Sequence, residues 1–273
     1  MSADDDSIAP EVGRWAEDKH ARIRAYLELA AKPAARSFLR PGKGGFYYID
    51  PFCGPGRATI RGTDQEIDGS AIVAAQAARS SGAPFTCIYI ADLVADHVNA
   101  CAARLRALGE TVRTYEGSAL STSAEIARDL PGRGLHFAFL DPYDLEALPF
   151  EVIKRLAAFK HVDILVHFSS MDVQRNVDRY LTMATSPLDT FAPGWRTRVN
   201  AQMAKHEQRR HVREHWQALM AQLDMPTAQS IEHIQGSKKQ SLYWLLFAAR
   251  HTLAHKFWDA IVKASQPQRG FDF

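Results

Sequence analysis

The chain has 273 residues, of which 46% are hydrophobic and 23% charged. That balance excludes a disordered, collagenous or low-complexity protein. With 33 Lys and Arg against 31 Asp and Glu, the net charge of +2 dictates no partner, and any basic surface must be local. Cys53, Cys87 and Cys101 have no metal-type spacing, so free thiols in a reducing interior are expected. Met1–Ala9 lacks the basic-then-apolar order of a secretory signal, and no apolar run approaches a membrane span. A soluble cytoplasmic protein is the expectation.

Residues 1–10 read as a loose tail, and Glu11 to Ala31 as an amphipathic helix that Pro33 and the glycine-rich stretch from Arg40 to Gly45 bring to an end. Phe46–Asp50 is an aromatic, β-branched strand that runs into Pro51-Phe52-Cys53-Gly54-Pro55-Gly56. A polar loop to Asp68 and an alanine-rich helix over Gly69–Arg79 follow. Further strands are expected at Phe85–Ile90, Thr111–Tyr115, Leu135–Leu140 and Val162–Phe168, with helices between them. Near-continuous apolar strands alternating with helices predict a parallel sheet covered on both faces.

From Met171 to Pro226 the sequence is helical, polar and basic. Ser230–Gln235 and Ser241–Ala249 then read as two antiparallel strands turning near Gly236-Ser237, with a helix after His251. The division follows: a tail over 1–10, an N-terminal helical segment over 11–45 and a core over 46–170. A helical insertion that holds substrate or partner spans 171–227, and residues 228–273 complete the sheet.

In an open parallel sheet, ligands bind beyond the carboxyl ends of the strands, where strand order reverses. After the first core strand stands Phe52-x-Gly54-x-Gly56, where glycine lets the backbone approach a ligand. After the second stands Asp92, whose carboxylate can accept two ribose hydroxyls. Thr59 replaces the third glycine of the dinucleotide fingerprint, and no phosphate-binding lysine pattern exists. A nucleoside cofactor without phosphates suits these absences, and S-adenosylmethionine is the expected one. After the fourth strand, Asp141-Pro142-Tyr143 offers a carboxylate or carbonyl to an amine and a ring to a flipped-out base.

The connection after the fifth strand runs to about 55 residues, far beyond the 10–12 a crossover needs. Arg196, Arg198, Arg209, Arg210 and Arg213 lie in it, flanked by Trp195 and Trp216. Cations with aromatics suit phosphate contact and base stacking, and equally a solvated helical face. His211 with His215, and His251 with His255, share helical spacing, but nothing completes a ligand set, so no metal is expected. His167 reads as a satisfied core histidine.

The motifs together resemble the three-Cys-motif partner proteins. The resemblance rests on Trp15-x-x-x-Lys19, the loop Tyr48-Ile49-Asp50-Pro51-Phe52-x-Gly54-Pro55-Gly56-Arg57, Gly69-Ser70 and Phe139-Leu140-Asp141-Pro142-Tyr143. Arg175-Asn176, Ser237-Lys238 and Tyr243-x-Leu245-Leu246-Phe247 extend it from about Val12 to Val262. It implies a Rossmann-like class I S-adenosylmethionine-dependent methyltransferase fold, mostly parallel with an antiparallel last strand. It also implies association with a protein carrying a three-cysteine, radical-type motif. Asp50, Phe52, Gly54, Gly56 and Asp92 then belong to the cofactor site, with Ser118 where many such enzymes carry an aspartate near the adenine. Arg57 and Ser70 either line the cofactor entrance or serve as a loop cation and a helix N-cap. Two functions follow as expectations. One is methyl transfer to an amino group in RNA or DNA. The other is a non-catalytic recognition subunit of the three-cysteine protein.

Overall fold

The computed structural model describes residues 9–235 and 241–265. In chain order the elements are β1 (Glu11–Val12), α1 (Trp15–Ser37), β2 (Phe46–Asp50), β3 (Arg57–Ile60), β4 (Glu66–Asp68), α2 (Ser70–Ser80), β5 (Cys87–Asp92), α3 (Ala95–Ala107), β6 (Val112–Glu116) and α4 (Ala119–Asp129). Then come β7 (Leu135–Leu140), α5 (Phe150–Ala157), β8 (Val162–Phe168), α6 (Ser170–Thr182), α7 (Pro187–Phe191), a 3-10 turn (Trp195–Thr197), α8 (Lys205–Gln222), β9 (Glu232–Gln235), β10 (Ser241–Ala249) and α9 (Thr252–Ser265). No helix among the described residues is long and apolar enough to cross a membrane.

The central sheet has seven strands in the order β6-β5-β2-β7-β8-β10-β9. The first five named are mutually parallel; β10 runs antiparallel to both β8 and β9. Chain order therefore reverses between β2 and β7, which opens a crevice at their carboxyl ends. The inner strands are buried on both faces, as their unbroken apolar runs predict, whereas β6 at the edge exposes Arg113, Thr114 and Glu116.

Two apolar layers flank the sheet. On one side α1, α2, α3 and α9 pack through Ile23, Tyr26, Leu27, Cys101, Leu105 and Trp258. On the other, α4 to α8 pack through Ile126, Ile153, Phe191, Trp195, Val212 and Trp216. The long basic stretch is thus not an appendage but much of the second layer.

Three local expectations are corrected. The first helix starts at Trp15, because Gly13 separates it from Glu11–Val12, which pair with Thr59–Ile60. That helix also runs through Pro33 to Ser37. Proline there removes one helical hydrogen bond, at a cost of about 3 kcal/mol, but buried Ala30, Ala31 and Ala34 hold both sides of it against the sheet. The polar loop before Asp68 contains a hairpin, β3–β4, because Ala58 and Ile60 alternate inward. The expected turn at Gly236-Ser237, with Lys238, lies outside the described residues.

Tyr26 donates a 2.6 Å hydrogen bond to buried Asp163 on β8, and burial pushes that carboxyl up to about 6. A raised carboxyl binds its proton more tightly folded than unfolded, so its contribution to stability falls as pH rises from about 4 to about 6. His20, lowered to about 4 by burial, acts in the opposite sense over much of that range, so the Asp163 effect is read as a difference between proteins. Urea denaturation at each pH should show Asp163→Asn gaining on the wild type by roughly 2–3 kcal/mol between the two ends of that window.

Candidate functional site

A cavity of about 530 Å³ opens at the carboxyl ends of the strands, at the crevice between β2 and β7. Phe52 and Gly54 line it after β2, Asp92, Leu93 and Val94 after β5, and Ser118 after β6. Asp141, Pro142 and Tyr143 line it after β7, and His167 at the end of β8; Lys19 enters from α1 and His97 from α3. The residues expected at the strand ends therefore meet in one space.

Asp92 shapes the near wall. Its Oδ2 accepts from the Gly54 amide at 3.0 Å and its Oδ1 from the Val94 amide at 3.0 Å, with His97 Nδ1 3.3 Å from the same oxygen. A carboxylate has about four acceptor positions, so capacity for a ligand hydroxyl remains. The next two residues are unusual for apolar side chains: Leu93 is 60% and Val94 44% exposed. Such a pair at a cavity mouth offers an apolar face to a flat ligand. Ser118 caps α4, accepting from the Ser121 amide at 3.2 Å.

Four expected cofactor residues do not line the cavity. Asp50 is fully buried, and its carboxylate accepts from Ser70 Oγ at 2.6 Å, the Phe52 amide at 3.1 Å and Tyr48 Oη at 3.1 Å. Burial pushes it up to about 6. Ser70 is consumed by that bond and so fixes the loop to the start of α2. Gly56, at φ +80°, lies against Cys101 and accepts from the Gly69 amide through its carbonyl at 2.9 Å. Arg57 sits on β3 with Glu66 at 3.1 Å. These residues shape the loop from behind. Cys53 is buried beside Cys101; the hydrogen bond between the two thiols and burial push the Cys53 thiol up.

The far wall holds a cluster that sequence reasoning did not assemble. Asp141 is bonded through Oδ2 to Lys19 Nζ and through Oδ1 to His167 Nδ1 at 2.6 Å. Burial pushes the Asp141 carboxyl up, but Lys19 and His167 together hold it below the usual carboxylate range. Burial also pushes the His167 imidazole below its ordinary value, against the pull of Asp141. The His167 ring packs on Tyr243 with centroids 4.1 Å apart, and Tyr243 Oη donates to the Trp15 carbonyl at 2.8 Å. His167 is thus no mere core residue. Its position at a strand's carboxyl end was the available signal, and the Trp15-x-x-x-Lys19 motif was the other. Tyr143 stands 76% exposed at the rim.

The arginines divide. Arg196 grips Asp189 with two bonds, at 2.9 and 2.8 Å, and donates to the Leu181 and Met183 carbonyls. It is a staple of the fold, not a free phosphate ligand. Trp195 and Trp216 are fully buried in the second layer and present no face to a base. Arg198 is exposed, Arg209 donates to Gln174 at 2.7 Å, Arg210 lies 3.8 Å from Glu214, and the Arg213 guanidinium lies 5.1 Å from the Trp244 ring. Of the spaced histidines, His215 and His255 each bond a backbone carbonyl at 2.7 Å.

No family model and no curated protein matches the chain. Solved structures do. A Legionella pneumophila protein is 12% identical at a TM-score of 0.50, over 89% of this chain and 90% of that one. An O-methyltransferase from Bacillus cereus, in complex with S-adenosylhomocysteine, is 12% identical at 0.47, over 84% and 90%. The O-methyltransferase TomG from Streptomyces achromogenes, in complex with S-adenosylmethionine, is 15% identical at 0.44, over 84% and 79%. At such identities the likeness concerns the fold: a Rossmann-like sheet, mostly parallel, with helices on both faces.

The loop geometry predicts a graded response to alanine. Gly54, at φ +55°, has open space around a built Cβ, so Gly54→Ala should cost about 1 kcal/mol in urea denaturation. At Gly56 the Cβ also meets Cys101 Cα and Sγ at 3.2 Å, and Gly56→Ala should cost about 2–3 kcal/mol.

Proposed function

We propose that this chain transfers a methyl group from S-adenosylmethionine to an amino group of a nucleic-acid base. One observation carries the reading: the Gly54 loop, Asp92 and Ser118 face Asp141, Pro142 and Tyr143 across a single cavity at the switch point of the sheet. The donors and acceptors suit this cofactor. Asp92 has acceptor capacity for a ribose diol, Leu93 and Val94 offer an apolar face to adenine, and the loop holds no lysine of the kind that binds phosphates. When bound, the cofactor supplies a methyl group on positively charged sulfur.

The acceptor side is built from this chain's own residues. Asp141 Oδ2 is held by Lys19 and Oδ1 by His167, and the backbone carbonyls of the Asp141–Pro142 turn are further acceptors for the amine's hydrogen bond. Tyr143, exposed at the rim, is a stacking platform for an unpaired base. Arg198, Arg209, Arg210 and Arg213 supply the basic surface for phosphates, without Arg196. A second reading draws on the same bonded state of Asp141. A recognition subunit, partner to a three-cysteine radical-type protein, retains such a cluster for structure alone.

Calorimetry with S-adenosylmethionine separates the two. The wild type should bind with a dissociation constant of about 1–100 μM, and Asp92→Ala should weaken binding about tenfold or more. Tyr143→Ala should leave that affinity unchanged while labelled-methyl transfer to total RNA or DNA falls at least about tenfold. A folded wild type that binds no cofactor would overturn the methyltransferase reading in favour of the recognition subunit.

A further inference from the structure

We infer that His167, oriented by Asp141, takes the proton that leaves the methyl acceptor. The inference rests on the methyltransferase reading and assigns Asp141 a different task from the one its motif suggests. Asp141 becomes a positioning residue, and the acceptor becomes a group whose N–H must break during the reaction.

The geometry carries four points. First, an ionised carboxylate only accepts hydrogen bonds, so the 2.6 Å bond to Asp141 Oδ1 requires the hydrogen on Nδ1 of His167. The neutral ring then carries its lone pair on Nε2, the nitrogen that can receive a proton. Second, Lys19 holds the other carboxylate oxygen, so Asp141 cannot swing away. Third, the ring is packed on Tyr243 at 4.1 Å, whose own hydroxyl is tied to the Trp15 carbonyl. Fourth, among the described residues Nε2 has no hydrogen-bond partner, and His167 lines the same cavity as Pro142 and Tyr143. A histidine fixed on one nitrogen and unbonded on the other, in the wall of a reaction cavity, is the arrangement of an oriented general base.

The charged and titratable groups around it are Asp141 after β7, Lys19 of α1 and Tyr243 of β10. Lys19 opposes a second positive charge nearby, and Asp141 favours it. Burial outweighs the pull of Asp141 and holds the ring below its ordinary value, which favours the neutral form before the reaction, and the carboxylate is a counter-charge for the imidazolium after it.

The step balances. The acceptor nitrogen's lone pair forms the bond to the methyl carbon while the carbon–sulfur bond breaks. That pair stays on sulfur, which loses its positive charge. The N–H bond then gives its proton to Nε2 of His167, and its electron pair returns to nitrogen. The methylated amine is neutral, and the imidazolium stands beside the Asp141 carboxylate.

The test uses the full chain and S-adenosylhomocysteine as the probe ligand. Nitrogen-15 imidazole spectra at neutral pH should show His167 with hydrogen on Nδ1 and none on Nε2, with and without the probe; Asp141→Asn should disturb that state. An imidazolium, or hydrogen on Nε2, overturns the proposal, and either result is readable whether or not the probe binds. Failure of the probe to bind the wild type is instead a failure of the methyltransferase reading. Single-turnover methyl transfer to total RNA should slow as pH falls through a pKa below about 6.5. In His167→Gln it should be about 100-fold slower and lose that pH dependence, at unchanged affinity for the probe. Wild-type rate and profile in His167→Gln would overturn the proposal.

Discussion

The cavity exists because two carboxylates hold one glycine loop from opposite sides. Asp50, without solvent contact, gathers Ser70, the Phe52 amide and Tyr48 beneath the loop. Asp92, at the cavity wall, takes the Gly54 amide from above. A carboxylate so deeply buried is costly unless its oxygens are satisfied, and here three donors converge on it. The bonds join the ends of β2 and β5 to the start of α2, so the loop's left-handed glycines are set by the sheet and not by a ligand. The Arg104 bond to the Pro55 carbonyl adds a third anchor from α3.

The opposite wall depends on the entry of α1. Lys19 reaches Asp141 across 122 positions of sequence, and Tyr243 reaches the Trp15 carbonyl across 228. The first turns of α1 therefore close the site at one end, while the body of the same helix packs on the core through Ile23, Tyr26 and Leu27. The helical stretch after β8 contributes differently. Its tryptophans and Arg196 are committed to a packed layer; of the arginines on α8, Arg210 is exposed, whereas Arg209 and Arg213 are partly buried against Gln174 and Trp244.

The sheet was legible because its strands are apolar runs ended by Asp, Gly or Pro, and the residues just beyond those ends are where an open parallel sheet must bind. Gly54, Asp92 and Asp141 follow from that rule alone, and Ser118 from the resemblance. What stayed hidden depends on distance in sequence. No local pattern says that Lys19 and His167 will share one carboxylate. Nor does a motif distinguish Asp92, which faces the cavity, from Asp50, which turns inward, since both close a strand in the same way. Composition misled at Trp195 and Trp216: tryptophans flanking arginines suggest stacking, but burial among Phe168, Phe191 and Val212 claims them. Pro33 misled by the same logic, because packing on both sides outweighs one missing hydrogen bond.

The placement of the cysteines makes the protein its own reporter. Cys53 and Cys101 sit face to face under the glycine loop, and Cys87 starts the neighbouring strand; all three are free and buried. A thiol reagent in solution reaches them only when that part of the molecule opens. The speed of alkylation at Cys53 is thus a clock for breathing of the loop, and Cys87 times the fraying of β5. Three native residues, with no label introduced, divide the motion of the cavity wall from that of the strand behind it.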